Sequence, residues 1–287
     1  MTARITVLGS GSAGNATLVE AGKFGILVDC GFTHRELANR LHAIGRTWAN
    51  VNAAVLTHTH TDHWNRYALQ HLRQSNIPLY LHPQHRDGLL AEVRDPLNSA
   101  GLLRDYSPGT AFDLGPLRVR AIQVCHDSEP TMAFRFDGAD WAYGHASDLG
   151  CVDEHLIDLF AGVDVLGLEF NHDVSMQRNS RRPRFLIDRV LSDDGHLSNE
   201  QAAQALVALI AAGAPSALQA VFQLHLSRDC NKAELARHAA LEVLDRVSPN
   251  TQLITSAQIT PTKPVALGGP APKLLKPTPV VVAAAPF

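Results

Sequence analysis

The stretch LTHTHTDHW places His58, His60, Asp62 and His63 within six residues, directly after the apolar run AAVL. On extended backbone, residues two apart point to the same side, so His58 and His60 can share one ion. Asp62 and His63 fall where the chain turns toward a helix, and they can aim at a second ion nearby. A loop that is histidine-rich by chance is the competing reading. Four donor side chains packed behind an apolar strand weigh against it.

A second stretch, VLGSGSAGN, suggests a different chemistry. Gly9, Gly11 and Gly14 fit the pattern G-x-G-x-x-G, and Asp29 stands twenty residues beyond Gly9. A dinucleotide site requires those glycines to open a helix, whose N-terminus receives the pyrophosphate. Here they lead into two short β-type runs, residues 17–20 and 24–28, around the turn Ala21-Gly22-Lys23. The pattern therefore predicts a hairpin with Asp29 at its end, and no dinucleotide site.

The elements that must position these residues can be read coarsely. Residues 4–8 begin a strand. THRELANRLHAIG reads as a helix with Thr33 as N-cap and Glu36 completing a capping box. Strands are expected at VNAAVLTH, 77–81, LRVRAIQVCH, on both sides of the Asp137-Gly138 turn, at VDVLGLEF and AVFQLHL, and near 252–256. Helices are expected at 67–72, VDEHLIDLFAG, LSNEQAAQALVALIAAG and 232–247. Strands bunched in each half with helices between them predict two sheets covered by outer helices. From residue 261 the chain is rich in Pro, Ala and Val and reads as a disordered tail, 261–287.

Bulk properties narrow the function. A net charge of −3 over 287 residues excludes a global basic field, so any nucleic-acid contact must come from a local patch. Cys30, Cys125, Cys151 and Cys230 form no C-x-x-C pair and no disulfide-type spacing, which suits a reduced cytosol. No apolar run approaches a membrane span. The expectation is a cytoplasmic protein without a membrane partner.

THTHTDH resembles the H-x-H-x-D-H signature of the metallo-β-lactamase superfamily. That family carries further ligands at downstream strand ends, and His126 in VCHDS, Asp148 in GHASDLG and His225 in LHLSRD match them in order. The resemblance implies an α/β (α+β) fold, a four-layer αββα sandwich, over residues 1–260. It gives His58, His60 and His126 to one metal and Asp62, His63 and His225 to the other, with Asp148 bridging. Asp29 in ILVDCG fits the position beneath the metals that orients the histidines. The glycine loop would lie at the edge of the site, its N–H groups open to an anionic substrate. GSGSAGN, LEFNHD, GHLSNE and HLSRDCN narrow the resemblance to the YycJ/WalJ-like exonuclease group, across residues 4–256. Phe170 departs from that pattern, standing where a small polar residue is expected.

The implied activity is a dinuclear metal-dependent phosphodiesterase on nucleic acid, a DNA exonuclease working 5′ to 3′ by attack of a bridging hydroxide on phosphorus. Asp62 counts among the catalytic side chains as well as the ligands. His196 is the candidate proton donor with Glu169 holding its ring, unless it only caps the helix near Ser198. His172 is a candidate substrate contact, or a residue that supports the ligands from outside. Zinc suits the histidine-rich donors, and manganese accepts the same atoms. Arg178, Arg181, Arg182 and Arg184 lie in a stretch free of acidic residues, where Pro183 argues for a projecting loop. Their forks suit phosphate, with DNA preferred to RNA, or they form a solvated basic loop. Arg228 is a further phosphate candidate. The alternative function is hydrolysis of a small ester, thioester or lactam on the same metals. Oligomeric state is not legible.

Overall fold

In the first strand, β1 (Ala3–Gly9), nearly every side chain is buried, as its apolar run demands. The computed structural model describes residues 2–127, 130–213 and 218–268. From β1 the chain runs antiparallel through β2 (Ala16–Ala21) and β3 (Phe24–Val28), then continues in parallel through β4 (Ala53–Val55), β5 (Leu79–Leu81) and β6 (Leu103–Asp105). The second half repeats this plan. An antiparallel series β7 (Phe112–Leu114), β8 (Leu117–Val124), β9 (Thr131–Asp137) and β10 (Ala142–Ala146) is followed by parallel β11 (Val165–Glu169), β12 (Ala220–Leu224) and β13 (Gln252–Thr255).

The two sheets face each other across one apolar layer. Ile5, Val7, Val19 and Ile26 of the first sheet meet Phe134, Phe136, Tyr143 and Phe222 of the second. Outside the first sheet lie α1 (His34–Ala43), α2 (Arg66–Gln74), α3 (His85–Gly88) and α4 (Ala91–Ser99), whose buried Leu37, Leu41, Leu69, Leu72 and Leu97 form a second core. Outside the other sheet, α5 (Glu154–Phe160), α8 (Asn199–Ala212) and α9 (Ala233–Val247) bury Leu156, Leu206 and Leu244. The order helix, sheet, sheet, helix is the αββα sandwich implied above. Each parallel half delivers its strand ends to the same edge, where ligands gather in open α/β sheets.

Two expectations need correction. Residues 265–267, inside the stretch read as a disordered tail, form a last strand, β14, paired antiparallel with β1. Val265 and Leu267 are buried and cover an edge that β1 would otherwise expose. The remainder of that tail, 269–287, lies outside the described residues. The arginine stretch is mostly helical: α6 (Val174–Arg178) and α7 (Arg184–Val190) flank a loop of only residues 179–183. Pro183 is the cap of α7, because its fixed φ is pre-set for starting a helix as well as for ending one. The sequence pattern also gives no sign of α3, α4, β6 and β7, whose short elements carry little periodicity.

Candidate metal centre

Strand ends supply every donor. His58, His60, Asp62 and His63 follow β4, His126 follows β8, Asp148 follows β10, Glu169 ends β11 and His225 follows β12. At four of the turns the chain adopts a left-handed backbone at a non-glycine residue: Asp29 (φ 60), Asp127 (φ 44), Asp148 (φ 59) and His225 (φ 53). Such conformations cost of order 1 kcal/mol or more each and persist where the surroundings fix them. Here they turn four side chains inward at one edge.

The donor atoms fall into overlapping groups. His58, His60 and His126 form one, Asp62, His63 and His225 another, and His58, His63 and Asp148 a third, each with its donor atoms within 4.8 Å of one another. The Asp148 carboxylate faces both sides, with Oδ2 2.9 Å from His63 Nε2 and Oδ1 3.8 Å from His126 Nε2. Two ligands on a tetrahedral ion with bonds of about 2.0–2.2 Å stand about 3.4 Å apart. His225 Nε2 to Asp62 Oδ2 is 3.2 Å and His63 Nε2 to Asp62 Oδ2 is 3.6 Å. His58 Nε2 and His126 Nε2 are buried and make no hydrogen bond, although buried polar atoms almost always find a partner. These residues fit divalent metal.

Around the donors, side chains fix which nitrogen faces inward. Asp29, 1 % exposed, accepts from His63 Nδ1 at 2.7 Å and from the Thr57 amide at 2.8 Å. The Thr57 hydroxyl joins Asp29 to His58 Nδ1 at 3.0 Å. His126 Nδ1 is 2.8 Å from the Gly195 carbonyl, leaving Nε2 for metal. Glu169 Oε1 receives both His196 Nδ1 at 2.8 Å and His225 Nδ1 at 2.9 Å, while Oε2 accepts from the Leu149 and Leu197 amides. Asn171 Nδ2 donates to the His225 carbonyl at 2.9 Å. Partners of this kind set imidazole tautomer and orientation.

Electrostatics follow from this crowding. Burial opposes charge on Glu169, yet the imidazoles of His196 and His225 hold its carboxyl down to about 2. Burial likewise works against Asp62, and His63 and His225 prevail to bring it to about 2. Burial alone would lower His63, but Asp148, Asp29 and Asp62 raise it well above the ordinary histidine range. His225 is raised for the same kind of reason, with Asp148, Asp62 and Glu169 around it. His58, buried among other imidazoles, is lowered instead.

The remaining candidates are spread unevenly. His196 is paired with Glu169 and only lightly exposed, and the helix cap belongs to Ser198, which forms a capping box with Gln201. His172 is 0 % exposed with neither ring nitrogen hydrogen-bonded, so it presents no surface to a substrate, and burial lowers it to about 4. Arg181 and Arg182 line an open hollow of about 640 Å³ with Met176, Asn179, Ser180 and Asp229. Arg182 pairs with Asp229 at 3.2 Å and Arg184 with Asp188 at 3.1 Å. Arg178 is exposed at the end of α6, and Arg228 stands in solvent beside Asp229. The glycine loop corrects an expectation. Its N–H groups at Ser10, Gly11, Ala13 and Gly14 are bonded to Ala257, Asn15, Gln258 and Gly11, so they are not open to an anion. Gly11 (φ 143) and Gly14 (φ 150) permit the fold that delivers Asn15.

Sequence reasoning does not find Asn15, Thr57, Asn171 or Asp127. Asn15 Nδ2 donates to Asp62 Oδ2 at 3.2 Å and its amide N–H to the Asp62 carbonyl at 2.8 Å, across 47 residues of chain. Only Asp127, adjacent to His126 in CHD, offers a local signal.

A family model described as a beta-lactamase superfamily domain matches residues 25–215. Exodeoxyribonuclease WalJ of Streptococcus pneumoniae serotype 2 (strain D39) is 27 % identical over 233 residues, covering 81 % of this chain and 85 % of WalJ. Exodeoxyribonuclease YycJ of Bacillus anthracis is 27 % identical over 245 residues, covering 85 % of this chain and 90 % of YycJ. The metallo-beta-lactamase fold protein YhfI of Bacillus subtilis superposes with a TM-score of 0.65 at 15 % identity, over 91 % of this chain and 99 % of that one. That likeness concerns the fold. Among the described residues, no helix is long and apolar enough to cross a membrane.

Proposed function

The chain belongs to the beta-lactamase superfamily and is a hydrolase of it, and we propose that it is a metal-dependent phosphodiesterase acting on nucleic acid, a 5′-to-3′ DNA exonuclease of the cytoplasm. The observation that carries this reading is the pairing of seven converging donors with a further imidazole, His196, held 2.8 Å from buried Glu169 at the edge of the cluster. The substrate class rests on the relatives' names as exodeoxyribonucleases and on the arginine-lined hollow beside the loop that follows His225.

His58, His60 and His126 would hold one cation and Asp62, His63 and His225 the other, with Asp148 shared. Zinc suits these nitrogen and oxygen donors best. When bound, such a pair supplies Lewis acidity toward phosphate oxygens and lowers the pKa of a water at neutral pH. The chain's own residues do the rest. Glu169 accepts a hydrogen bond from His196 Nδ1, which leaves Nε2 as the nitrogen free to face substrate. Protonated His196 then delivers a proton from Nε2 to the departing sugar oxygen, a step worth about 10²–10⁴-fold. Asp62 keeps its charge because His63 and His225 flank it, so it supports the positive centre across the neutral pH range.

Arg178, Arg181, Arg182, Arg184 and Arg228 would draw in the phosphate backbone without reading sequence. Phe185, 74 % exposed next to Arg184, offers a ring on which a base can stack. Buried His172, near enough to Glu169 and His196 to feel their charge, would act through them rather than by touching substrate. The test is digestion of end-labelled duplex DNA, single-stranded DNA and RNA by protein of measured metal content, with Asp148→Ala as control. Mononucleotides released from the 5′ end of duplex DNA support the reading. No cleavage of any polymer by the fully loaded protein contradicts it and favours a small ester substrate.

A further inference from the structure

Asp127 follows His126 directly, yet the ligand set taken from the signature leaves it out. Its backbone is left-handed, and its N–H donates to the Asp194 carbonyl at 3.0 Å, so the residue is held in a costly conformation by its surroundings. Arg189 of α7 grips both carboxylate oxygens, Nε on Oδ1 at 2.8 Å and Nη2 on Oδ2. The side chain is thereby fixed rather than free in solvent.

What it is fixed toward is informative. Asp127 Oδ2 stands 3.4 Å from His60 Nε2 and 3.4 Å from His126 Nε2. Hydrogen bonds from nitrogen to oxygen measure about 2.7–3.2 Å, so both separations are too long for that role. They match the spacing of about 3.4 Å between two ligands of one ion, which Asp127 would bring to five donors with Asp148 shared. They also lie close to the separation of Asp62 from His63 on the other side of the centre, 3.6 Å. Since His126 Nδ1 is committed to the Gly195 carbonyl, the Nε2 facing Asp127 is the same atom that would meet metal.

We propose that Asp127 is an additional oxygen donor to the cation of His58, His60 and His126, and that Arg189 governs how strongly it binds. The inference rests on the reading of the centre as a metal site. Arg189 withdraws charge from the carboxylate and competes with the ion for it. Asp127 is therefore a displaceable ligand, which an incoming phosphate oxygen can replace both on the ion and on the arginine fork. Removing Asp127 and removing Arg189 should then have opposite effects on metal affinity.

The experiment is titration of zinc into metal-free full-length protein against a competing chelator, with metal counted per chain, for wild type, Asp127→Asn and Arg189→Gln. Thermal melts of each metal-free protein check folding, and His58→Ala serves as control. The expected result is two zinc ions in the wild type, a loss of about 10–100-fold in affinity for one of them in Asp127→Asn, and equal or tighter binding in Arg189→Gln. Unchanged affinities in folded Asp127→Asn overturn the proposal, as does equal weakening in both variants, which makes the pair a structural brace. Should Asp127→Asn fail to fold, the Arg189→Gln affinity alone decides, and weakening there overturns the proposal. A wild type that binds no zinc, or a His58→Ala that binds as well as wild type, sinks the reading of the centre itself and the proposal with it.

Discussion

The donor cluster and the arginine hollow are joined by a few residues of chain, His225 to Asp229, but are built on opposite principles. In the cluster, His58, His63 and Glu169 are 0 % exposed, and nearly every ring nitrogen and carboxylate oxygen facing away from the centre has a named partner. Beside the hollow, next in the chain to its lining residues Pro183 and Asp229, the side chain of Arg184 is 81 % exposed and that of Arg228 is 88 % exposed, and their ion pairs are with neighbours in the same exposed stretch. Exposed pairs of that kind contribute about 0–1 kcal/mol and move freely. Chemistry that requires fixed atoms has been placed where packing over-determines them. On the proposed reading, capture of a long, repetitive polyanion is left to a surface that can adapt.

That contrast is broken most severely through Asp148, the carboxylate proposed to be shared. Asp148→Ala should remove metal and activity together, measured by metal content per chain and by turnover. Retention of both would show that Asp148 is not shared between the two groups. Next in size, His196→Ala should keep its metal and lose about 10²–10⁴-fold in turnover. Glu169→Gln should show a second loss as well, because the same oxygen braces His225, a proposed ligand, so metal affinity should also fall by about 10–100-fold. Equal metal affinity in the two variants would separate Glu169 from His225.

Changes in the arginine stretch should be milder and of another kind. Replacing Arg181, Arg182 and Arg184 together by Gln should weaken DNA binding in low salt and reduce the slope of log affinity against log salt by about 0.9 for each phosphate that is no longer neutralised. Turnover at saturating DNA should hardly change. A fall in turnover with an unchanged slope would move these arginines from capture to chemistry.

How much of this can be read from the chain alone divides along the same line. The donors are legible because each sits at a strand end, and because HTHTDH packs four of them into one local pattern. The supports are not. Asn15 reaches Asp62 only once β1, β2 and β4 have found their register, and nothing near residue 15 announces it. The glycine loop looks like an open anion cradle, but its N–H groups are taken up by Asn15 and Gln258, the latter 245 positions from Ala13. Pro183 is ambiguous for a physical reason, since the same locked φ ends one helix and begins another. The last strand is hidden because its three residues gain stability only by covering β1.

The smallest predicted effect concerns the layer beneath the centre. His145 lies between the sheets, 2.8 Å from the Tyr143 hydroxyl, and burial lowers it to about 4. An unfolded histidine titrates near 6.5, so between about pH 6.5 and 4 the unfolded chain takes a proton that folded His145 refuses. Stability therefore falls as pH falls through that window, at up to about 1.4 kcal/mol per pH unit. In chemical denaturation from about pH 7 to 4.5, His145→Gln should flatten this slope. An unchanged slope would assign the acid sensitivity to other groups, buried His172 first.

The most direct test of the central claim is titration of zinc into metal-free protein while the cleavage of 5′-labelled duplex DNA is followed in the same samples. Activity that stays low through the first equivalent and rises with the second, releasing labelled mononucleotide, is the predicted result. Full activity at one equivalent, or none at two, would contradict the account.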